Sequence, residues 1–304
     1  MAGSRKIWAF GSGKGGTGKS VICASIGAYL AQVGLKVVLV DADLGGANLH
    51  TCLGLETPIR NLSDFIHRRE NNLEKLLLPT AYPLLRLLPG AQYSHDASAI
   101  RFQQQRRLLR AFQHLEADLL ILDIGAGSST VTMDFFLAAD PGVLILTPEP
   151  TAVENVHQML RQLLFRKLRS LHDYHRFRTL LNGLWETQQP SLRMPWDFFQ
   201  MVEQQSPEIA GRLRSHLRGF RPGLIVNQVR SEEDRELGRA LKTVCQRHFG
   251  LEADFLGAVE YDDAAWKSVR QREPLLSAYP HSRPARSIRQ IADKLLYRTR
   301  QRGA

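Results

Sequence analysis

Residues 6–10, 37–40, 84–88, 119–122, 142–147, 223–226 and 256–259 are short apolar runs, most of them continuous rather than alternating. Unbroken hydrophobicity is expected where both faces of a strand are covered, as in a parallel sheet packed between helices. The stretches between the runs read differently. Residues 21–33 form an Ala/Ile/Leu-rich helix, and in 100–115 the apolar Ile100, Leu108, Leu109, Phe112 and Leu115 stand among Gln and Arg, a helix with one buried face. Residues 58–83 read as surface helix and loop. In 284–302, Ile288, Ile291, Ala292, Leu295 and Leu296 line one side with Arg and Lys opposite. Strand and helix alternating in this way predict an α/β fold: a doubly wound, mostly parallel sheet flanked by helices, with right-handed crossovers and a ligand at the carboxyl ends of the strands.

The loop after the first run says what that ligand is. Gly13 to Ser20 reads GKGGTGKS and fills G-x-x-x-x-G-K-[ST] at every required position, between a short apolar strand and a helix. The physical logic is a phosphate cradle. Gly13 and Gly18 let the backbone turn where a Cβ would clash, and the N–H groups through Gly15, Gly16 and Thr17 face inward at phosphate oxygens before the positive end of the helix. Lys19 reaches the β- and γ-phosphates, and the Ser20 hydroxyl binds Mg²⁺. The expected cofactors are therefore ATP or ADP with Mg²⁺. Lys14 is an addition that nucleotide binding by Lys19 does not require.

Acidic residues follow two later strands. Asp41 and Asp43 flank Ala42, and alternation in an extended segment aims both carboxylates towards the phosphates and metal. Gly45 and Gly46 keep a plain turn open as the alternative. Asp123 closes the run 119–122 in the manner of a Walker B acid that orients Mg²⁺ or its waters, and Gly125 and Gly127 suit a loop that moves with the γ-phosphate.

KGGTGKS, VVLVDADLGGANL at 37–49 and LLILDIGAG at 119–127 together resemble the deviant Walker A ATPases of the MinD/ParA family, most nearly its MinD and FlhG branch. The likeness covers most of the chain. It implies a P-loop NTPase fold and a homodimer that closes around two ATP molecules, with Lys14 reaching the nucleotide of the other subunit. A cation supplied in this way stabilises charge on the transferred phosphoryl group. The resemblance also implies that Asp43 positions the attacking water, that Asp41 lies near the metal's water shell, and that Asn48 belongs to a switch region. Pro148-Glu149-Pro150-Thr151 resembles a segment near the family's dimer interface, where Glu149 is either a cross-subunit contact or part of an ordinary helix start. Asn227, whose amide offers both donor and acceptor, matches the residue that binds adenine, and the 260–263 loop matches the base's neighbourhood.

Length and composition favour a single P-loop ATPase domain, 1–304, since no second P-loop or repeat is visible and 43% hydrophobic content is ample for a core. The chain departs from the family in a helical insertion, 161–222, of about sixty residues. It holds Leu163, Leu164, Phe165 and Leu168 at helical spacing, then Tyr174, Phe177, Trp185, Trp196, Phe198 and Phe199, and closes with Arg212, Arg214, Arg218 and Arg221. These aromatics either pack as the insertion's own core or form a docking surface. The net charge of +10 is concentrated: 161–221 has eleven Arg/Lys against five Asp/Glu, and 283–302 has seven against one. Such segments suit an anionic membrane surface, non-specific DNA or an acidic protein.

Cys23, Cys52 and Cys245 form no C-x-x-C pair, which argues against a disulfide framework, a zinc site or an iron–sulfur cluster. With no signal peptide or membrane-length apolar run, the expectation is a cytoplasmic protein, peripheral on the inner membrane or associated with the nucleoid. Residues 284–302 resemble a last folded helix more than a separate membrane-binding extension, and with Trp8 already in the first strand the expectation is a chain without the amino-terminal activating segment of FlhG-type proteins, which weakens a strict flagellar assignment. The function expected is a slow, partner-stimulated Mg-ATPase switch that positions or regulates a flagellar, division or polar assembly. A ParA-like nucleoid-binding ATPase for DNA or cargo partition is the alternative, and an enzyme that activates a small substrate with ATP is a third class.

Overall fold

A computed structural model describes residues 6–90, 100–169, 199–200, 202–204 and 206–301. The apolar runs become strands β1 (Lys6–Gly11), β2 (Val37–Ala42), β4 (Leu85–Leu88), β5 (Leu119–Ile124), β6 (Gly142–Leu146), β7 (Gly223–Val229) and β8 (Asp254–Glu260). A two-residue strand, β3 (Leu78–Pro79), escapes the hydrophobic pattern and pairs antiparallel with β4 at one edge. The other pairings are parallel, in the order β3-β4-β2-β5-β1-β6-β7-β8. β1 therefore lies between β5 and β6, where the chain turns to opposite sides of the sheet, and the crevice at its carboxyl end is the natural ligand site of such a fold.

Helices cover both faces. On one lie α3 (Leu62–Ile66), α4 (Phe102–Phe112), α5 (Thr130–Leu137), α6 (Pro150–Arg169), α7 (Pro207–Leu217) and α8 (Glu232–Phe249), packed through residues such as Leu108, Phe112, Phe136, Met159 and Phe249. The opposite face carries α1 (Lys19–Gln32), α2 (Leu49–Cys52), α9 (Asp263–Gln271), α10 (Leu275–Ala278) and α11 (Arg283–Gln301). α1 is buried on nearly every side, which explains its Ala- and Ile-rich composition.

α11 decides one of the open readings. Ile288, Ile291, Ala292 and Leu295 are 0–1% exposed against β8 and α1, so the apolar stripe of 284–302 is part of the core and is not available to a membrane. Among the described residues, no helix is long and apolar enough to cross a membrane. The helix also closes the fold at β1. The wholly buried Trp8 donates its indole N–H to Thr299 Oγ1 at 3.0 Å, and Thr299 donates onward to the Leu295 carbonyl at 2.7 Å. Thr299→Val keeps the shape and strands the indole N–H, so it is expected to lower stability by about 1–3 kcal/mol in urea denaturation.

Part of the 161–222 segment is described. Its expected boundary at 161 falls within α6, which runs unbroken to Arg169. Leu163, Leu164, Leu168, Phe199, Val202, Ala210, Leu213 and Leu217 are buried in the same core as the sheet. Arg212 pairs with Glu208 and Arg221 with Glu252 and Asp254, while Arg214 pairs with Glu203. Tyr174, Phe177, Trp185, Trp196 and Phe198 lie outside the described residues.

Candidate nucleotide site

The loop 12–18 leaves the carboxyl end of β1 and turns into α1 at Gly18, whose φ of 82° is left-handed and suits glycine. A Cβ there would also lie 2.4 Å from the Asn227 amide nitrogen, and one at Gly13 would lie 2.6 Å from Asn155 in α6. By contrast, Gly15 and Gly16 face open space, with nothing within 4 Å of an added Cβ. Beside that opening, the hydroxyl of Thr17 is buried without a partner among the described residues. An open cradle of backbone and an orphaned buried hydroxyl fit phosphate oxygens, the group the sequence motif calls for.

Lys19, at the first turn of α1, is 8% exposed and ion-paired with Asp123, which is 1% exposed near the end of β5. Burial, the largest single influence, lowers the ammonium pKa, but the charge and hydrogen bond of Asp123 together with Cys23 and Asp43 outweigh it and the net shift is upwards. The Cys23 thiol, one turn along α1, lies 3.9 Å from the same carboxylate, and burial followed by Asp123 pushes its pKa well up. Ser20 stands half-buried next to Lys19. Cys23 was not singled out in the sequence, although its place four residues after Lys19 puts it on the same side of the helix.

The two carboxylates of 41–43 do not both turn to the cradle. Asp41, facing Asp123 across the β2–β5 register, accepts the Leu49 N–H at 2.9 Å and the Asp43 N–H at 3.3 Å. Asp43 accepts from Gly45 at 3.2 Å and Gly46 at 3.0 Å. Strand alternation fails because β2 ends at Ala42 and the loop beyond it supplies unpaired amides, which the nearest carboxylates satisfy. The turn left open as an alternative is therefore present. Asp43 nonetheless faces the second acidic loop, since a Cβ at Gly125 would lie 3.3 Å from its Oδ1. That loop is tied to the cradle by the Gly127 N–H donating to the Ser12 carbonyl at 2.8 Å. Asn48 is exposed and donates to the Gly46 carbonyl at 2.8 Å.

Burial, and after it the Asp123 charge, push the Asp41 carboxyl from an ordinary 3.8 up to about 7. The folded protein thus holds a proton that the unfolded chain has released, so this group's contribution to stability is full below pH 3.8 and is lost as pH rises through 7. Asp41→Asn keeps an oxygen for the Leu49 N–H and removes the titration. In nucleotide-free, metal-free buffer, its Tm advantage over the parent is expected to grow between about pH 5 and about pH 8. A constant difference would mean that Asp41 is already ionised across that range.

Two further residues are held within this chain. Lys14 pairs with Glu149, which immediately precedes α6, and its ammonium lies 3.5 Å from the Thr151 hydroxyl. Lys14, expected to reach a second subunit, and Glu149, either a cross-subunit contact or part of an ordinary helix start, are therefore each other's partners in a single chain. Asn227, two residues before the end of β7, donates its amide to the Thr17 carbonyl at 2.7 Å and so braces the cradle. Gln228, which the sequence did not flag, adopts a left-handed φ of 61° and directs its amide to the Gly16 carbonyl at 3.5 Å.

The family model described as the CobQ/CobB/MinD/ParA nucleotide binding domain matches residues 8–275. The antiactivator FleN of Pseudomonas aeruginosa is 27% identical over 292 residues, covering 95% of this chain and 86% of the relative. The septum site-determining protein MinD of Synechocystis is 35% identical over 150 residues, covering 49% of this chain and 56% of that relative. The solved septum site-determining protein MinD of Pyrococcus horikoshii, complexed with Mg-ADP, aligns over 99% of both chains with a TM-score of 0.67 at 20% identity, a likeness of fold.

Proposed function

The chain belongs to the CobQ/CobB/MinD/ParA nucleotide-binding family, and from that premise we propose that it is an ATP-driven, dimerising switch with slow Mg-ATPase activity that positions or regulates a cellular assembly. The observation that carries the reading is Lys14 at the rim of a complete phosphate cradle, held among the described residues by the exposed Glu149 and Thr151 of its own chain. Lys19 and the N–H groups from Gly13 to Ser20 bind the phosphates, with Ser20, Asp41 and Asp123 holding Mg²⁺ directly or through water. The metal, when bound, neutralises charge on the phosphate oxygens. Asp43 orients the attacking water, Lys14 meets the nucleotide of a second copy, and Asn227 accepts the adenine edge. A relative named for septum-site determination and another named an antiactivator support a positioning or regulatory role.

The surface on which the switch works is the finer point. With the stripe of α11 in the core, the exposed Arg residues are the groups among the described residues that would hold an anionic membrane electrostatically, and the same residues suit duplex DNA. Asp43→Ala locked with ATP is the reagent of choice. Its mass is expected to double relative to the ADP form in light scattering, and it is to be partitioned between anionic vesicles and non-specific duplex DNA at two salt concentrations. A monomer with ATP sinks the dimer reading. ATP-dependent vesicle binding favours the MinD/FlhG-like surface switch; salt-sensitive, ATP-dependent DNA binding favours the partition reading.

A further inference from the structure

α5 has eight residues, whereas the helices on either side of it, α4 and α6, have 11 and 20. It is fastened to both. Gln105 of α4 donates to the Val131 carbonyl at 3.4 Å, and Arg166 of α6 grips Asp134 with two hydrogen bonds, one of 2.6 Å. Where the short helix stops, its longer neighbours leave a groove of about 560 Å³ with Leu137 and Ala138 at its base.

The lining is one-sided in charge. Arg106 comes from α4, and Arg166, Lys167 and Arg169 come from α6, while Asp134 is the acid among the lining residues and is the one that Arg166 holds. The groove is also apolar. Phe102 stands at its mouth with 62% of its surface exposed and its ring 5.7 Å from the Arg106 guanidinium, and Leu109 continues the apolar wall. An exposed aromatic ring flanked by arginines is the kind of surface from which protein partners draw most of their binding energy.

We propose that this groove between α4 and α6 docks an acidic amphipathic segment of another protein, with apolar side chains on Phe102, Leu109 and Leu137 and carboxylates on Arg106 and Arg169. Charge complementarity selects the occupant's sign, and the apolar base selects its class. Duplex phosphates meet arginines on the rim and leave the Phe and Leu surface in water, whereas a peptide covers both. None of the lining residues belongs to the nucleotide site, so the proposal stands apart from the ATPase reading. α5 does leave the loop that carries Gly125 and Gly127, so an occupant rests on the helix next to the nucleotide loop.

The test uses the whole chain and a fluorescein-labelled helical peptide of about 16 residues with Glu on one face and Leu and Phe on the other, against the same peptide with Gln for Glu. The acidic peptide is expected to bind at least ~10-fold more tightly than the Gln form. Phe102→Ser combined with Arg106→Glu is expected to weaken it by ~10-fold or more, and Arg169→Glu alone by about 3-fold, with nucleotide binding unchanged. These three side chains are exposed, so folding should survive their replacement. Peptide-induced hydrogen-exchange protection of 102–109 and 166–169 in the unsubstituted chain is the second measurement. Equal binding of the two peptides, insensitivity to the groove variants, or protection elsewhere overturns the proposal. So does a loss of duplex DNA or anionic vesicle binding in the variants without loss of peptide binding.

Discussion

Lys19→Met is expected to lower affinity for a fluorescent ATP analogue by more than about 100-fold and to destabilise the nucleotide-free protein at the same time. The two losses have different origins. Affinity falls because the β- and γ-phosphates lose their point charge. Stability falls because Asp123, 1% exposed and opposite Asp41 in the register, is left buried without its cation. Removing one partner of a buried pair typically costs about 3–5 kcal/mol, most of it the penalty on the charge that stays behind. Asp123→Asn in the same chain removes that charge, so the double variant Lys19→Met with Asp123→Asn is expected to regain most of the stability while nucleotide binding stays lost. Lower pH should act in the same direction as the second substitution, because the neighbouring Asp41, whose carboxyl is raised to about 7, then takes up its proton and less negative charge is left buried beside the missing cation. Urea denaturation of the parent, both singles and the double gives the coupling directly. Additive single and double effects would show that Lys19 and Asp123 are not the unit described here.

This unit was half legible in the sequence. Gly13, Gly18, Lys19 and Ser20 are fixed by local spacing, and the strands that present them are unbroken apolar runs, so the cradle and most of the sheet order's raw material could be read directly. Side-chain direction was a different matter. Strand alternation aims Asp41 and Asp43 at the phosphates, but unpaired amides at Gly45, Gly46 and Leu49 lie beside them, and a carboxylate beside unpaired N–H groups bonds to them. Gln105 shows the same limit. A polar residue inside the apolar face of α4 looks like a break in the pattern until Val131 supplies its partner from another helix. β3 left no periodic trace because two residues are too few to show a period. The stripe on α11 is visible in the sequence, yet whether lipid or protein covers it depends on packing against β8 and against α1 at the other end of the chain.

Lys14 and Glu149 are separated by 135 positions, and their pairing within one chain sets up the second large effect. Lys14→Ala is expected to reduce ATP turnover by about 10²–10³-fold, the range found when a donor aimed at developing transition-state charge is removed. ATP-dependent association should fall with it if, as proposed, the same ammonium reaches across to the second copy. Glu149→Gln is expected to behave in the opposite sense. The side chains of Lys14 and Glu149 are 29% and 58% exposed, so their pair stabilises the single chain by no more than about 1 kcal/mol, and releasing it frees Lys14 to reach a second copy. Association with ATP should then strengthen by up to about 5-fold, with stability nearly unchanged. Turnover assays and light scattering on the two variants separate the possibilities. If Lys14→Ala hydrolyses and associates like the parent, Lys14 is a surface lysine with a surface partner. If Glu149→Gln is as inactive as Lys14→Ala, the pair serves the assembled state, and Glu149 guides Lys14 across the interface instead of restraining it beforehand.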